Sequence, residues 1–139
     1  MNDTDTVSPQ AHEGTIHITR RGTGFFSIDE DKEDVLIPRE DLGSALPDDI
    51  VRVEMTKVVE HRQRGKVIAI VERARTTFVG VLSEENSQVV LLSDLKRMYT
   101  PFVIEGEHPP LGHKVFVRLT HWNTGEKMPS ASVEEDIGV

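Results

Sequence analysis

Short stretches in which hydrophobic and polar residues alternate run along nearly the whole chain, a pattern typical of half-buried β-strands. In the first half the pattern predicts five strands, at 14–19, 24–28, 35–37, from 50 onward and at 64–71. Pro38 ends the third strand, because proline cannot donate to a strand ladder. Residues 39–46 predict a short helical turn between the third and fourth strands. Five short strands separated by turns are typical of a small barrel.

The strand pattern then begins again in the second half of the chain. It predicts five more strands, at 77–82, 88–92, 99–104, 114–121 and 130–135. The sequence therefore predicts an all-β fold of two tandem five-stranded barrels, with a boundary near residues 72–76. The predicted domains are 14–73 and 76–138, and they follow a flexible acidic tail at 1–13.

Composition narrows the class of protein. The chain has 139 residues, of which 37% are hydrophobic and 29% charged, as in soluble globular proteins. It has no cysteine, which excludes disulfides and thiolate metal sites and is consistent with the reducing cytoplasm. We expect the protein to be cytoplasmic and a monomer. No apolar stretch approaches the roughly 18 residues that a membrane span needs, so we expect no membrane partner.

The net charge of −8 is distributed unevenly along the chain. Residues 1–13 carry three acidic and no basic side chains, residues 14–75 carry 12 and 11, and residues 76–139 carry nine and five. Only the middle segment is nearly balanced. Because phosphate binding depends on local positive charge, any nucleic-acid binding should be weak and sensitive to salt.

The most informative part of the chain is Arg21–Phe26 followed by Asp34–Pro38. It resembles the paired motifs of cold-shock OB-folds, in which glycines and alternating aromatics form a stacking platform for bases. The resemblance implies that Phe25 and Leu36 face the ligand, whereas Phe26, Val35 and Ile37 face the core. Leu36 and Thr23 stand where the motif usually has aromatic residues. One stacked base contributes roughly 1–3 kcal/mol, so this platform should bind weakly.

The order of motifs along the whole chain resembles the N-terminal half of the ribonuclease R and ribonuclease II family. The matching stretches are 14–16, 24–26, 34–38, 46–53, 65–73, 78–82 and 114–117, with Trp122 shortly after the last. The resemblance implies two OB barrels of the cold-shock type that guide single-stranded RNA into a 3′–5′ exoribonuclease domain. It also implies that this chain is not catalytic and needs no cofactor. The Mg²⁺-binding catalytic domain, expected as a partner, would follow the end of the chain.

The other candidate RNA-binding residues are basic or aromatic. Arg62, Arg64 and Lys66 alternate, so on a strand they would project from one face. Further candidates are Arg20 and Arg21 beside the aromatic turn, Arg73 and Arg75 at the domain junction, and Lys96, Arg97 and Tyr99 in the second half. These side chains could track phosphates. The alternative is a solvated strand face, partly paired with acidic neighbours.

Other patterns predict no chemistry. The acidic run 29–34 lacks the glycine that an EF-hand loop requires at its sixth position, and the six histidines have no metal-ligand spacing. No nucleophile elbow or phosphate loop occurs. Three hypotheses remain: an RNA-entry module of an exoribonuclease, a stand-alone RNA-binding or RNA-chaperone protein, and an acidic module that docks on a basic protein.

Overall fold

The computed structural model describes residues 11–123 and 125–139. They form ten strands: β1 (Ala11–Ile18), β2 (Gly24–Phe26), β3 (Val35–Ile37), β4 (Ile50–Val59), β5 (Arg62–Glu72), β6 (Thr77–Glu85), β7 (Gln88–Ser93), β8 (Phe102–Glu105), β9 (Lys114–His121) and β10 (Ser130–Gly138). A single 3-10 turn, Arg39–Asp41, lies between β3 and β4. The predicted all-β class is confirmed. The described residues contain no helix with the length and apolar character needed to cross a bilayer.

The described residues up to Ala74 form one compact unit. Its strands close into a barrel in the order β1-β2-β3-β5-β4. All neighbouring strands are antiparallel except β3 and β5, which run parallel. The last residues of β1 pair with β2, and its first residues pair with β4. Because of this double pairing, one strand closes the sheet on itself and the barrel has no free edge.

The core of the first barrel follows from the alternation in its short strands. Ile16 and Ile18 of β1, Phe26 of β2 and Ile37 of β3 are each at most 2% exposed. Gly24 lies so close to this core that an added Cβ would be 2.9 Å from Leu42 Cδ2 and 3.0 Å from Ile37 Cβ. Only glycine therefore fits at the start of β2.

A buried carboxylate connects the end of β5 to the loop that precedes β4. Asp49 is fully buried, and it accepts hydrogen bonds from the backbone N–H of Leu46 at 2.9 Å and of Ala74 at 2.9 Å. The Arg73 guanidinium donates to the same carboxylate at 2.7 Å and to the Ser44 carbonyl at 2.7 Å. Arg73 therefore has a structural role.

The described residues from Arg75 to Val139 form a second compact unit, whose strands also close into a barrel. Its pairing order, β6-β7-β8-β10-β9, repeats that of β1 to β5, including one parallel pair between β8 and β10. The rings of Phe78 and Phe102 pack in its core with centroids 4.6 Å apart. This interior is filled by side chains, as small barrels require.

Several predicted bounds differ from those observed. β1 begins at Ala11, so residues 11–13 belong to a strand instead of the predicted tail, because they pair with Arg52, Val53 and Glu54 of β4. The rest of the predicted tail, 1–10, lies outside the described residues. The predicted turn at 39–46 shortens to Arg39–Asp41. β8 begins only at Phe102, so Tyr99 lies in a loop and not in a strand.

Candidate functional site

A row of four side chains crosses four neighbouring strands on the outer face of the first barrel. Cα pairing places His17 of β1 opposite Phe25 of β2, Phe25 opposite Leu36 of β3, and Leu36 opposite Arg64 of β5. The sequence neighbours of His17, Phe25 and Leu36 are buried, so strand alternation turns these three outward, and Arg64 follows Leu36 in the pairing. Phe25 and Leu36 are half-buried, and His17 is exposed. We name this row the β-face.

Arg62, at the start of β5, reaches over the β-face. Its guanidinium carbon Cζ lies 5.8 Å from the centroid of the Phe25 ring, within the range of a cation–π interaction. Its Nε donates to the Asp34 carbonyl at 2.9 Å and lies 3.6 Å from a carboxylate oxygen of Glu33. The loop before β3 therefore holds Arg62 beside Phe25.

Arg64 lies next to Leu36 at one end of the row. Its Nε is buried and has no hydrogen-bond partner among the described residues. A buried donor without an acceptor is costly, so this N–H is suited to receiving an acceptor from a ligand or a water molecule. The adjacent Gln63 does not relieve it, because its amide donates to the carbonyl oxygens of Arg64 at 2.8 Å and Lys57 at 3.4 Å.

Three arginines lie at the turn that joins β1 to β2. Arg20 and Arg21 are exposed in this turn, which Gly22 completes with a φ of 92°. Arg39, at the start of the 3-10 turn, donates from Nη1 to the Arg21 carbonyl at 3.2 Å. The hydrogen bond brings a third positive charge to the turn. At the other end of β2, the loop 29–34 carries five acidic side chains and one lysine.

The other predicted RNA-binding residues are not members of this row. Lys66 of β5 is 3.9 Å from Glu54 of β4, and Arg73 is paired with Asp49. Arg75, Lys96, Arg97 and Tyr99 belong to the second unit, the last three in the loop between β7 and β8. Arg75, Arg97 and Tyr99 each have interaction partners. We therefore restrict the candidate site to the first barrel.

Two residues of the site were missed in the sequence. His17 could have been found, because it lies between the apolar residues Ile16 and Ile18 and must face outward if they face inward. Arg39 could not have been found, since its proximity to Arg21 depends on how the chain returns after β3.

The second barrel has a polar cluster at the ends of β8 and β9. His121 Nε2 lies 2.8 Å from Glu105 Oε2, and its Nδ1 lies 3.3 Å from Glu126 Oε1. The Glu105 hydrogen bond raises the pKa of His121, and the same bond lowers the pKa of Glu105. The Thr120 hydroxyl also donates to Glu105 at 3.0 Å. Among residues 11–123 and 125–139, no three metal-ligating side chains are placed to hold an ion.

Comparison with known proteins agrees with the fold. Residues 14–70 match the family described as the ribonuclease B OB domain. Ribonuclease R of Thermotoga maritima is 32% identical over 130 residues, which are 90% of this chain and 18% of that protein.

Two solved structures superpose on most of the chain. Mycoplasma genitalium RNase R in complex with ribose methylated single-stranded RNA matches with a TM-score of 0.74 and 19% identity, over 91% of this chain and 21% of that one. Yeast Ssd1, a pseudonuclease, matches with a TM-score of 0.77 and 15% identity, over 94% and 23%. At these identities the superpositions show a shared fold. The chain spans about a fifth of the length of these relatives.

Proposed function

Because residues 14–70 belong to the ribonuclease R and ribonuclease II family as an OB domain, we propose that this chain is an RNA-binding module that guides single-stranded RNA into a 3′–5′ exoribonuclease domain. The observation that carries the proposal is the β-face, where Phe25 and Leu36 lie between His17 and Arg64. A half-buried ring with arginines beside it is suited to binding single strands by base stacking and phosphate contacts.

The charges at the two ends of β2 favour one side of Phe25 for the RNA backbone. The turn with Arg20 and Arg21 lies at one end of β2, and the acidic loop 29–34 lies at the other. Phosphates are attracted to the first and repelled by the second. The RNA backbone therefore runs on the side of the β1–β2 turn, while bases cover Phe25.

The proposal extends to the whole chain. Since β6 to β10 repeat the pairing order of β1 to β5, we assign an OB barrel of the cold-shock type to each of the two units, which divide between Ala74 and Arg75. The chain itself is not catalytic and takes no cofactor. RNA hydrolysis and the Mg²⁺ ions that it requires belong to a catalytic domain, which is the protein partner, and the module acts in the cytoplasm as a monomer. The relatives include both a ribonuclease and a pseudonuclease, so this barrel pair occurs in proteins with either property.

The first experiment is a fluorescence-anisotropy titration of a labelled single-stranded oligoribonucleotide with the full chain, at low and moderate salt. We expect a dissociation constant of about 10⁻⁴–10⁻⁶ M that rises with salt, as for binding dominated by phosphate contacts. Phe25→Ala should weaken binding about 5- to 150-fold, the equivalent of one stacked base. Arg64→Ala should weaken binding and reduce the salt slope by about one.

Arg118→Ala is the matched control, because it removes one exposed arginine from the second barrel. It should leave the affinity within about twofold of the unchanged chain, since Arg118 is not a member of the β-face. If the folded chain does not bind RNA at low salt, the proposal is wrong. The acidic second barrel, with nine acidic and five basic side chains in 76–139, would then favour docking on a basic protein.

A further inference from the structure

The Arg62 guanidinium lies over the Phe25 ring, so the two side chains could hold one unpaired base between them. The Arg62 Cζ lies 5.8 Å from the ring centroid of Phe25. Direct contact between the two planes would require about 3.5–4.0 Å, and a base inserted between them would require about twice that distance. The observed separation lies between these values. A shift of the guanidinium by about 1–2 Å would therefore admit a base.

The contacts of Arg62 permit such a shift. Its Nε donates to the Asp34 carbonyl, and the same atom lies 3.6 Å from the Glu33 carboxylate. Its two terminal amino groups have no hydrogen bond to a described residue, and they are therefore available to a base edge. The ion pair with Glu33 is exposed, with 32% of the Arg62 side chain and 68% of the Glu33 side chain accessible. Exposed pairs of this kind resist movement only weakly.

We propose that Arg62 clamps a single nucleobase of the RNA against the Phe25 ring. The inference rests on the proposed function and assigns Arg62 a stacking role in place of a phosphate contact. The guanidinium plane adds a second stacking surface to the Phe25 ring, whose neighbours on the adjacent strands are His17 and Leu36. Stacking tolerates every base, because each has a π-face, so the clamp selects unpaired nucleotides without selecting a sequence.

The test separates stacking from charge. Arg62→Lys keeps the positive charge but loses the plane, and it is titrated with a labelled oligouridylate and with an oligomer of equal length whose nucleotides all lack bases. We expect the variant to bind oligouridylate about tenfold more weakly with an unchanged salt slope. It should bind the abasic oligomer as well as the unchanged chain does, since the clamp then has nothing to hold. Arg52→Lys, the same exchange on β4 of the same barrel, should change neither titration.

A second variant keeps the test valid if Arg62→Lys disturbs the fold. Phe25→Leu retains an apolar side chain without the ring, and its loss should also vanish with the abasic oligomer. In the double variant the two losses should not add, because both residues hold the same base.

The clamp is refuted if Arg62→Lys binds oligouridylate normally, or if its loss persists with the abasic oligomer, which would identify Arg62 as a phosphate contact. If the unchanged chain binds no RNA at all, the proposed function fails first and the clamp fails with it. Circular dichroism of each variant establishes that the barrel is folded.

Discussion

The buried carboxylate of Asp49 gives a prediction on stability that can be worked out from the structure. Asp49→Ala removes an acceptor shared by the N–H groups of Leu46 and Ala74 and by the Arg73 guanidinium. Breaking a buried ion pair by removing one partner costs about 3–5 kcal/mol. Arg73 is 19% exposed and Ala74 is exposed, so both can regain water, whereas Leu46 is fully buried and cannot. We therefore expect a loss of about 3 kcal/mol, at the lower end of that range.

The assay must follow the first barrel separately. The only tryptophan and the only tyrosine, Trp122 and Tyr99, both belong to the second unit, so intrinsic fluorescence reports mainly on that unit. Hydrogen exchange of peptides from 11–74 during urea unfolding reports on the first. Asp49→Ala should lower the urea midpoint of these peptides by about 1–3 M, given slopes of about 1–3 kcal/mol per molar urea.

Two further variants define the outcome. Asp31→Ala, an exposed aspartate of the same barrel, should change the free energy of unfolding by less than about 0.5 kcal/mol. Arg73→Met should also destabilise the barrel, and adding it to Asp49→Ala should cost less than the sum of the two. The reasoning is refuted if Asp49→Ala changes stability no more than Asp31→Ala, or if the two losses add.

Two other predictions follow from packing and from electrostatics. Gly24→Ala should destabilise the first barrel by about 1–3 kcal/mol, because its Cβ would lie 2.9 Å from Leu42, and thermal unfolding would measure the loss. Gly14→Ala is a milder control, with its nearest contact at 3.3 Å, and a larger loss at Gly14 would contradict the packing argument. NMR titration should give His121 a raised pKa that falls in Glu105→Gln. The stabilisation from protonated His121 is present below the pKa of the unfolded chain and is lost as pH rises through the raised value. If the pKa of His121 is unchanged in Glu105→Gln, the pairing with Glu105 is refuted.

The site has a practical consequence for the strength of RNA binding. Phe25 is the only phenylalanine of the β-face, where His17 adds a smaller imidazole ring, and the acidic loop 29–34 lies at one end of β2. Both features limit affinity, one through stacking and the other through charge. Weak binding is consistent with the proposed function, because tight binding would slow the passage of RNA toward a catalytic domain.

Alternation in the sequence determined the local features of the fold. It predicted the ten strands, because the parity of a strand side chain depends only on its neighbours. The outward direction of Phe25 and Leu36 was implied by the resemblance to cold-shock OB-folds. It failed at the ends of strands. Residues 11–13 have no clear periodicity of their own and are strand only because β4 lies beside them.

The tertiary structure alone decided which of the outward side chains meet. Arg64 lies opposite Leu36 because β3 and β5 pair in parallel, and this pairing joins residues 28 positions apart in the sequence. Barrel closure likewise places Arg62 over Phe25 and pairs Arg73 with Asp49. The sequence therefore predicted the same role, RNA binding, for Arg62, Arg64 and Lys66 and for Arg73 at the domain junction. Long-range contacts gave these residues different roles. Such contacts depend on strand pairing and burial, which no local pattern in the sequence encodes.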